Sequence, residues 1–193
     1  MHTNISSNCY KHKFITKINS GTNQNVPELL YTFTSSKTHK TYCVHVEIYP
    51  NHFYGVKFHL RDHKKNPNKY NIQTNYNEAR PVIFTCINIM TEIDAYDNCA
   101  SFGFIGSNTT LSRKVDNNKQ EYFQSENEPK CKTKRYCVYK RIMLTFFKET
   151  TFEHIYNEDT SSYMLVRITE LEKNANLIDE ISTYFSDNYT NFD

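Results

Sequence analysis

Apolar and polar residues alternate with a period of two between Val44 and Leu60. Val44, Val46 and Ile48 are separated by His45 and Glu47; after Pro50-Asn51-His52, the residues Tyr54, Val56, Phe58 and Leu60 are separated by Gly55, Lys57 and His59. Period two is the mark of a strand with one buried face, so this stretch predicts two strands joined as a hairpin. The apolar sets share a face when residue 48 pairs with 54, 46 with 56 and 44 with 58. That register needs a five-residue loop, an ordinary length. A slip of one residue would send the two sets to opposite faces.

The same reading extends along the chain. Residues 1–10 read as a loose N-terminus. Lys13–Ile18 and Leu29–Thr34 are expected strands, separated by a turn region at Gly21-Thr22-Asn23. Residues 61–75 form a polar, basic loop. A helix is expected next, with Asn77 as N-cap, Pro81 in or near the first turn, and an end near Tyr96. Its apolar face is Ala79, Val82, Ile83, Cys86, Ile87, Met90 and Ile93, at helical spacing. Ala100–Ile105 is a short apolar run bounded by turn residues, expected as a buried strand. Residues 107–132 show no periodicity and predict a long polar insert, either functional or mobile. A second amphipathic helix is expected over Lys134–Phe147, with Tyr136, Tyr139, Ile142, Met143, Phe146 and Phe147 inward. Phe152–Tyr156 and Tyr163–Arg167 read as closing strands, and Glu170–Phe185 as an acidic last helix. The order predicts one α+β domain over residues 1–193, a mainly antiparallel sheet with two or three helices packed on one face.

Composition changes this picture in three places. The chain of 193 residues is long enough for a substantial core, and its 15 Tyr and 13 Phe supply large areas to bury. The net charge of +2 hides an asymmetry: residues 1–148 hold 21 Lys and Arg against 11 Asp and Glu, whereas residues 149–193 hold 2 against 10. A basic body with an acidic C-terminal region suits a polyanionic partner, or else the two parts neutralise each other. The six cysteines, at 9, 43, 86, 99, 131 and 137, form no C-x-x-C pair and match no zinc spacing. No apolar run approaches a membrane span, and residues 1–6 lack the core of a signal peptide. The expectation is a cytoplasmic protein with no membrane partner and no cofactor.

Three groups of residues could carry chemistry. On the hairpin's polar face, His45, Glu47 and His59, with His63 beyond, include metal-ligating types. Lys57 stands opposite His45, however, and its ammonium disfavours a cation. The face reads as solvated, with a Glu47–Lys57 pair, and no metal is expected. The second group is the basic loop 61–69, with Lys64 and Lys65, together with segment 130–141, which holds six Lys and Arg and no carboxylate. Tyr136 and Tyr139 interleave with these cations. Cations beside aromatics suit phosphate contact with base stacking, although i, i+3 spacing also turns tyrosines toward a core. The third group is Gly106-Ser107-Asn108 after a buried strand, a turn that can hold an anion on backbone N–H groups. Two of the chain's four glycines, Gly103 and Gly106, fall here, yet no Walker or dinucleotide fingerprint surrounds them.

The run Ala100-Ser101-Phe102-Gly103-Phe104-Ile105-Gly106-Ser107, the run Thr133-Lys134-Arg135-Tyr136-Cys137-Val138-Tyr139-Lys140 and the later Tyr163-Met164-Leu165-Val166-Arg167 resemble the motifs of a bacterial domain-of-unknown-function family. There, a strand ending in Gly-Ser/Asn is closely followed by a Thr-Lys/Arg-Arg-x-x-x-Tyr helix start. The similarity covers roughly residues 55–167, with an insert of about twenty residues between the motif halves. The resemblance implies that Gly106, Ser107, Asn108, Lys134, Arg135 and Tyr139 converge in space; it implies no activity.

Together these readings give an expected protein that binds phosphate-bearing partners, RNA or DNA. Gly106, Ser107, Asn108, Lys134, Arg135, Lys64 and Lys65 are the expected phosphate contacts. In a catalytic form, a metal-independent toxin-type ribonuclease, Arg135 would stabilise the phosphorane and His59, His63 or Tyr139 would act as acid or base. The alternative is a protein-interaction module that docks a protein partner through the acidic C-terminal region or the 107–132 insert.

Overall fold

A computed structural model describes residues 8–19, 26–106, 110–115, 119–124 and 131–189. Among these residues, nine strands and four α-helices follow one another as β1 (His12–Ile18), β2 (Glu28–Thr34), β3 (Thr41–Tyr49), β4 (Phe53–Leu60), α1 (Ala79–Tyr96), β5 (Ser101–Ile105), β6 (Thr110–Val115), β7 (Lys119–Gln124), α2 (Lys134–Phe146), β8 (Phe152–Asn157), β9 (Ser162–Arg167), α3 (Ile168–Lys173) and α4 (Leu177–Tyr189). Seven strands form one sheet in the order β1-β2-β3-β4-β5-β9-β8; β6 and β7 pair separately. Every neighbour in the large sheet is antiparallel except β4 and β5. The fold is α+β, as expected.

The β3–β4 register is the one the pattern predicts: Ile48 pairs with Tyr54, Val46 with Val56 and Val44 with Phe58. On β2, Leu29, Tyr31 and Phe33 join the same face. Helices α1 and α2 cover that face, and Val44, Val46, Ile87, Ile93, Phe102 and Tyr136 are fully buried between the layers. Each such side chain contributes roughly 1.5–3 kcal/mol by leaving water. Helix α1 is buried more widely than one stripe, because Phe84 also packs edge-on against Phe146 of α2, with centroids 5.0 Å apart. Its N-cap is Glu78 rather than Asn77, whose backbone is left-handed at φ 54°. Pro81 is then the third helical residue, where its missing N–H leaves no bond unmade.

The expected acidic helix is broken in two around Asn174, and α4 packs on the opposite face of the sheet. There Leu177 and Ile181 meet Tyr49, Phe53, Met164 and Val166. Within the insert, β6 and β7 make a hairpin where no strand was expected. It docks onto the 61–75 loop: Thr110 N–H donates to Asn71 O at 2.9 Å, and Gln73 N–H to Thr110 O at 2.9 Å.

Candidate functional site

Strands β4 and β5 lie side by side for only three residue pairs, Phe53–Ser101, Tyr54–Phe102 and Gly55–Gly103. Past Gly55 and Gly103 the ladder stops. Tyr70, Arg135 and Tyr139 line a cavity of about 60 Å³ there, between Val56 and Phe58 of β4 and Phe104 and Ile105 of β5. Beside it opens a groove of about 580 Å³, walled by the 69–79 segment, the end of β4 and the first turns of α2.

Local chemistry explains how α2 reaches this point. Thr133 caps the helix by accepting a hydrogen bond from Tyr136 N–H at 3.2 Å, and its hydroxyl donates to Gly106 O. Gly106 N–H donates to Ser161 O at 2.9 Å. A Cβ on Gly106 would stand 2.5 Å from Tyr136 N, so only glycine lets the strand end and the helix start touch. Two residues into the helix, the Arg135 guanidinium donates from Nη1 to Tyr70 O at 2.5 Å and from Nη2 to Asn71 O at 2.6 Å. This fork ties the 61–75 loop to α2.

The tied loop lays Tyr70 over the hairpin's polar face, which is buried rather than solvated. Tyr70 stands edge-on to His45 and His59, at centroid distances of 5.9 and 5.3 Å. The ammonium groups of Lys57 and Lys69 each lie 5.0 Å from its ring centre. Beneath it, Glu28, Glu47 and His59 are all buried. The hydrogen bonds form a chain whose protons can be counted. His59 Nδ1–H donates to Leu60 O at 2.7 Å. Burial pushes the His59 pKa down to about 4, so the ring is neutral at pH 7 and its Nε2 is an acceptor. His45 Nε2, 3.2 Å away, must then be the donor. The other His45 nitrogen faces Glu28 Oε1 at 3.2 Å. Burial alone would raise the Glu28 pKa, but the hydrogen bond and charge of His45, with Lys57 and Lys69 nearby, outweigh it and lower the pKa. Glu28 is therefore the acceptor. Glu47 is paired with Lys57 and also accepts from Tyr49 Oη at 2.8 Å. The His, Glu and Lys groups of this face thus pair with one another, while the Tyr70 hydroxyl above them is buried without a hydrogen-bond partner among the described residues.

The expected site residues divide in this geometry. His59, Lys134, Arg135 and Tyr139 all line the groove. Tyr139 packs edge-on against Phe104 at 4.9 Å, and burial raises its pKa to about 12. Gly106 meets the start of α2, but its N–H is taken by Ser161 O, so an anion does not find it free. Ser107 and Asn108 lie outside the described residues. Lys64 and Lys65 are exposed and do not line the groove; His63 packs edge-on against Tyr122 of β7 at 6.4 Å. The sequence reading missed Tyr70, Tyr42 and Glu78. The buried Glu78 carboxylate accepts hydroxyl hydrogen bonds from Tyr10 at 3.2 Å, Thr38 at 3.2 Å and Tyr42 at 3.3 Å, and a shorter one from Ser35. Tyr70 had one signal, being the single aromatic in a polar basic loop. Glu78 had none, since its donors come from three distant segments.

The acidic region reaches only part of the basic surface. Glu158 pairs with Lys132 at 3.1 Å and with Lys140 at 3.5 Å. Helix α4 packs over Tyr49 and Phe53, away from the end of β4 that forms the groove.

These features define an α+β protein with a mainly antiparallel seven-stranded sheet and a groove, at a parting of that sheet, lined by aromatic rings, amides and three cations. No protein-family model, no curated protein and no solved structure matches the chain. Among the described residues no helix is long and apolar enough to cross a membrane.

Proposed function

We propose that the groove binds a phosphate-bearing ligand, single-stranded RNA or DNA. The observation that carries this reading is the meeting of Lys69, Lys134 and Arg135 with Phe58 and Tyr139 in one groove of about 580 Å³. The volume is that of an ordinary ligand pocket. Cations beside aromatic rings are what a nucleotide strand needs: charge for the phosphates and flat apolar surface for the bases. The amide side chains of Gln73, Asn75 and Asn77 add donors and acceptors for base edges.

Binding without cleavage is the form this geometry supports better. His59 is neutral, buried and engaged at both ring nitrogens, so it has no proton-transfer partner in the groove. Tyr139, with its raised pKa, is a poor base.

The test is fluorescence anisotropy with labelled mixed-sequence RNA and DNA oligomers over a salt series. Binding should weaken steeply with salt, and Lys134→Ala should weaken it for all sequences and reduce the salt slope by about 1. Arg135→Ala is a poor probe, because it also releases the loop carbonyls of Tyr70 and Asn71. Unchanged affinity and slope in Lys69→Ala/Lys134→Ala protein would overturn the proposal.

A further inference from the structure

At the other end of β4, His52, Asp97 and Cys99 meet. Each offers one donor atom, and these atoms lie within 4.8 Å of one another, the one such grouping of His, Cys, Asp and Glu among the described residues. The three come from separate features: the β3–β4 turn, the C-cap of α1 and the turn into β5. Asp97 is held from several sides. Its Oδ1 accepts from Cys99 N–H at 3.1 Å, and its Oδ2 from Tyr54 Oη at 2.6 Å and from His52 Nδ1 at 2.9 Å. Asp97 is mostly buried while His52 is more than half exposed, so the cluster has a fixed base and an open mouth. The Cys99 thiol donates to Asn98 Oδ1 at 3.4 Å, and Glu170 nearby is paired with Lys173 at 2.6 Å.

We propose that His52, Asp97 and Cys99 bind a thiophilic divalent cation of the Zn²⁺ class. One imidazole nitrogen, one carboxylate oxygen and one sulfur form a borderline-soft donor set that suits zinc over magnesium or calcium. Zinc holds nitrogen and oxygen at about 2.0–2.2 Å and sulfur at about 2.3 Å, which spaces tetrahedral ligands about 3.3–3.7 Å apart, inside the 4.8 Å that bounds these atoms. The exposed imidazole, its Nδ1 now 2.9 Å from Asp97 Oδ2, swings aside to admit the ion. Three protein ligands leave the fourth position to water. Binding replaces the S–H bond by an S–metal bond, and the thiol proton is released to solvent. Tyr54 stays on Asp97 and orients it from behind, as the groups around a metal's ligands commonly do. The ion would tie the β3–β4 turn to the end of α1 and the start of β5.

The site is independent of the groove and is tested separately. The full chain, reduced and free of metal, is titrated with Co²⁺ as a spectroscopic probe. A thiolate-to-cobalt charge-transfer band should appear, saturate at one equivalent and be bleached by Zn²⁺. Cys99→Ser should abolish the band, and His52→Ala should weaken Co²⁺ binding at least tenfold, with far-UV circular dichroism unchanged in both. Cys43→Ser and Cys131→Ser/Cys137→Ser should keep the band. Zn²⁺ should raise the melting temperature of the unaltered protein and not that of Cys99→Ser, a readout that holds even if one variant folds poorly. A band that survives Cys99→Ser, or no band at millimolar Co²⁺, overturns the proposal.

Discussion

Gly106 shows how one missing methyl group positions a helix. Its amide and carbonyl are spent on Ser161 and Thr133, and its open side is filled by the Tyr136 backbone. Gly106→Ala should therefore destabilise the protein by about 1–3 kcal/mol, read as a lower urea midpoint, since backbone cannot rotate away as a side chain can. His59 makes a pH prediction. Its folded pKa, about 4, lies below the usual histidine value of 6.5. The unfolded chain then binds more protons between those values, so stability is complete above pH 6.5 and is lost as pH falls toward 4. The loss amounts to at most about 3 kcal/mol, at about 1.4 kcal/mol per pKa unit. Glu28, with its lowered pKa, pushes the same way in more acid solution. Urea unfolding across that range should show a shallower slope in His59→Asn than in the unaltered protein. At this scale the sequence was only partly legible. Residue type marked His59, Lys134 and Arg135 for attention. That Arg135 would spend its fork on two loop carbonyls depends on where a distant loop lies, which no local pattern encodes.

Elements were legible where periodicity was strong. The β3–β4 register could be read because a one-residue slip would expose an entire apolar set. Helix α2 could be read from its 3.6-residue stripe, and its start from Thr133. Replacing that cap by Ala removes a bond to Tyr136 N–H and another to Gly106 O, and should cost about 1–2 kcal/mol; Thr133→Ser should keep most of it. Thermal melts of the two variants check this. The β6–β7 hairpin was not legible, since its few apolar residues, Leu111, Val115, Tyr122 and Phe123, set no clear period, and its docking rests on backbone bonds between Thr110 and the loop residues Asn71 and Gln73. The break at Asn174 was missed for another reason: α3 and α4 share one apolar stripe. The packing of α4 predicts that Ile181→Ala costs about 2–4 kcal/mol, because Ile181 is buried in the cluster that holds Met164 and Val166.

For the whole molecule, the charge asymmetry could be counted from the sequence but its geometry could not. Part of the acidic region neutralises Lys132 and Lys140 through Glu158, while α4 covers the opposite face of the sheet. The three-pair contact between β4 and β5 has a mechanical consequence. The sheet is two leaves, β1-β2-β3-β4 and β5-β9-β8, sharing a short spine at Phe53–Gly55. Along the rest of the spine, the helices that lie across both leaves clip them together. Each leaf, with its own ladder intact, can then open as a unit without melting the other. Amide hydrogen exchange should accordingly resolve two blocks with different opening free energies, divided between Leu60 and Ser101. A single exchange block across all seven strands would mean that the clip, not the spine, governs how the molecule opens.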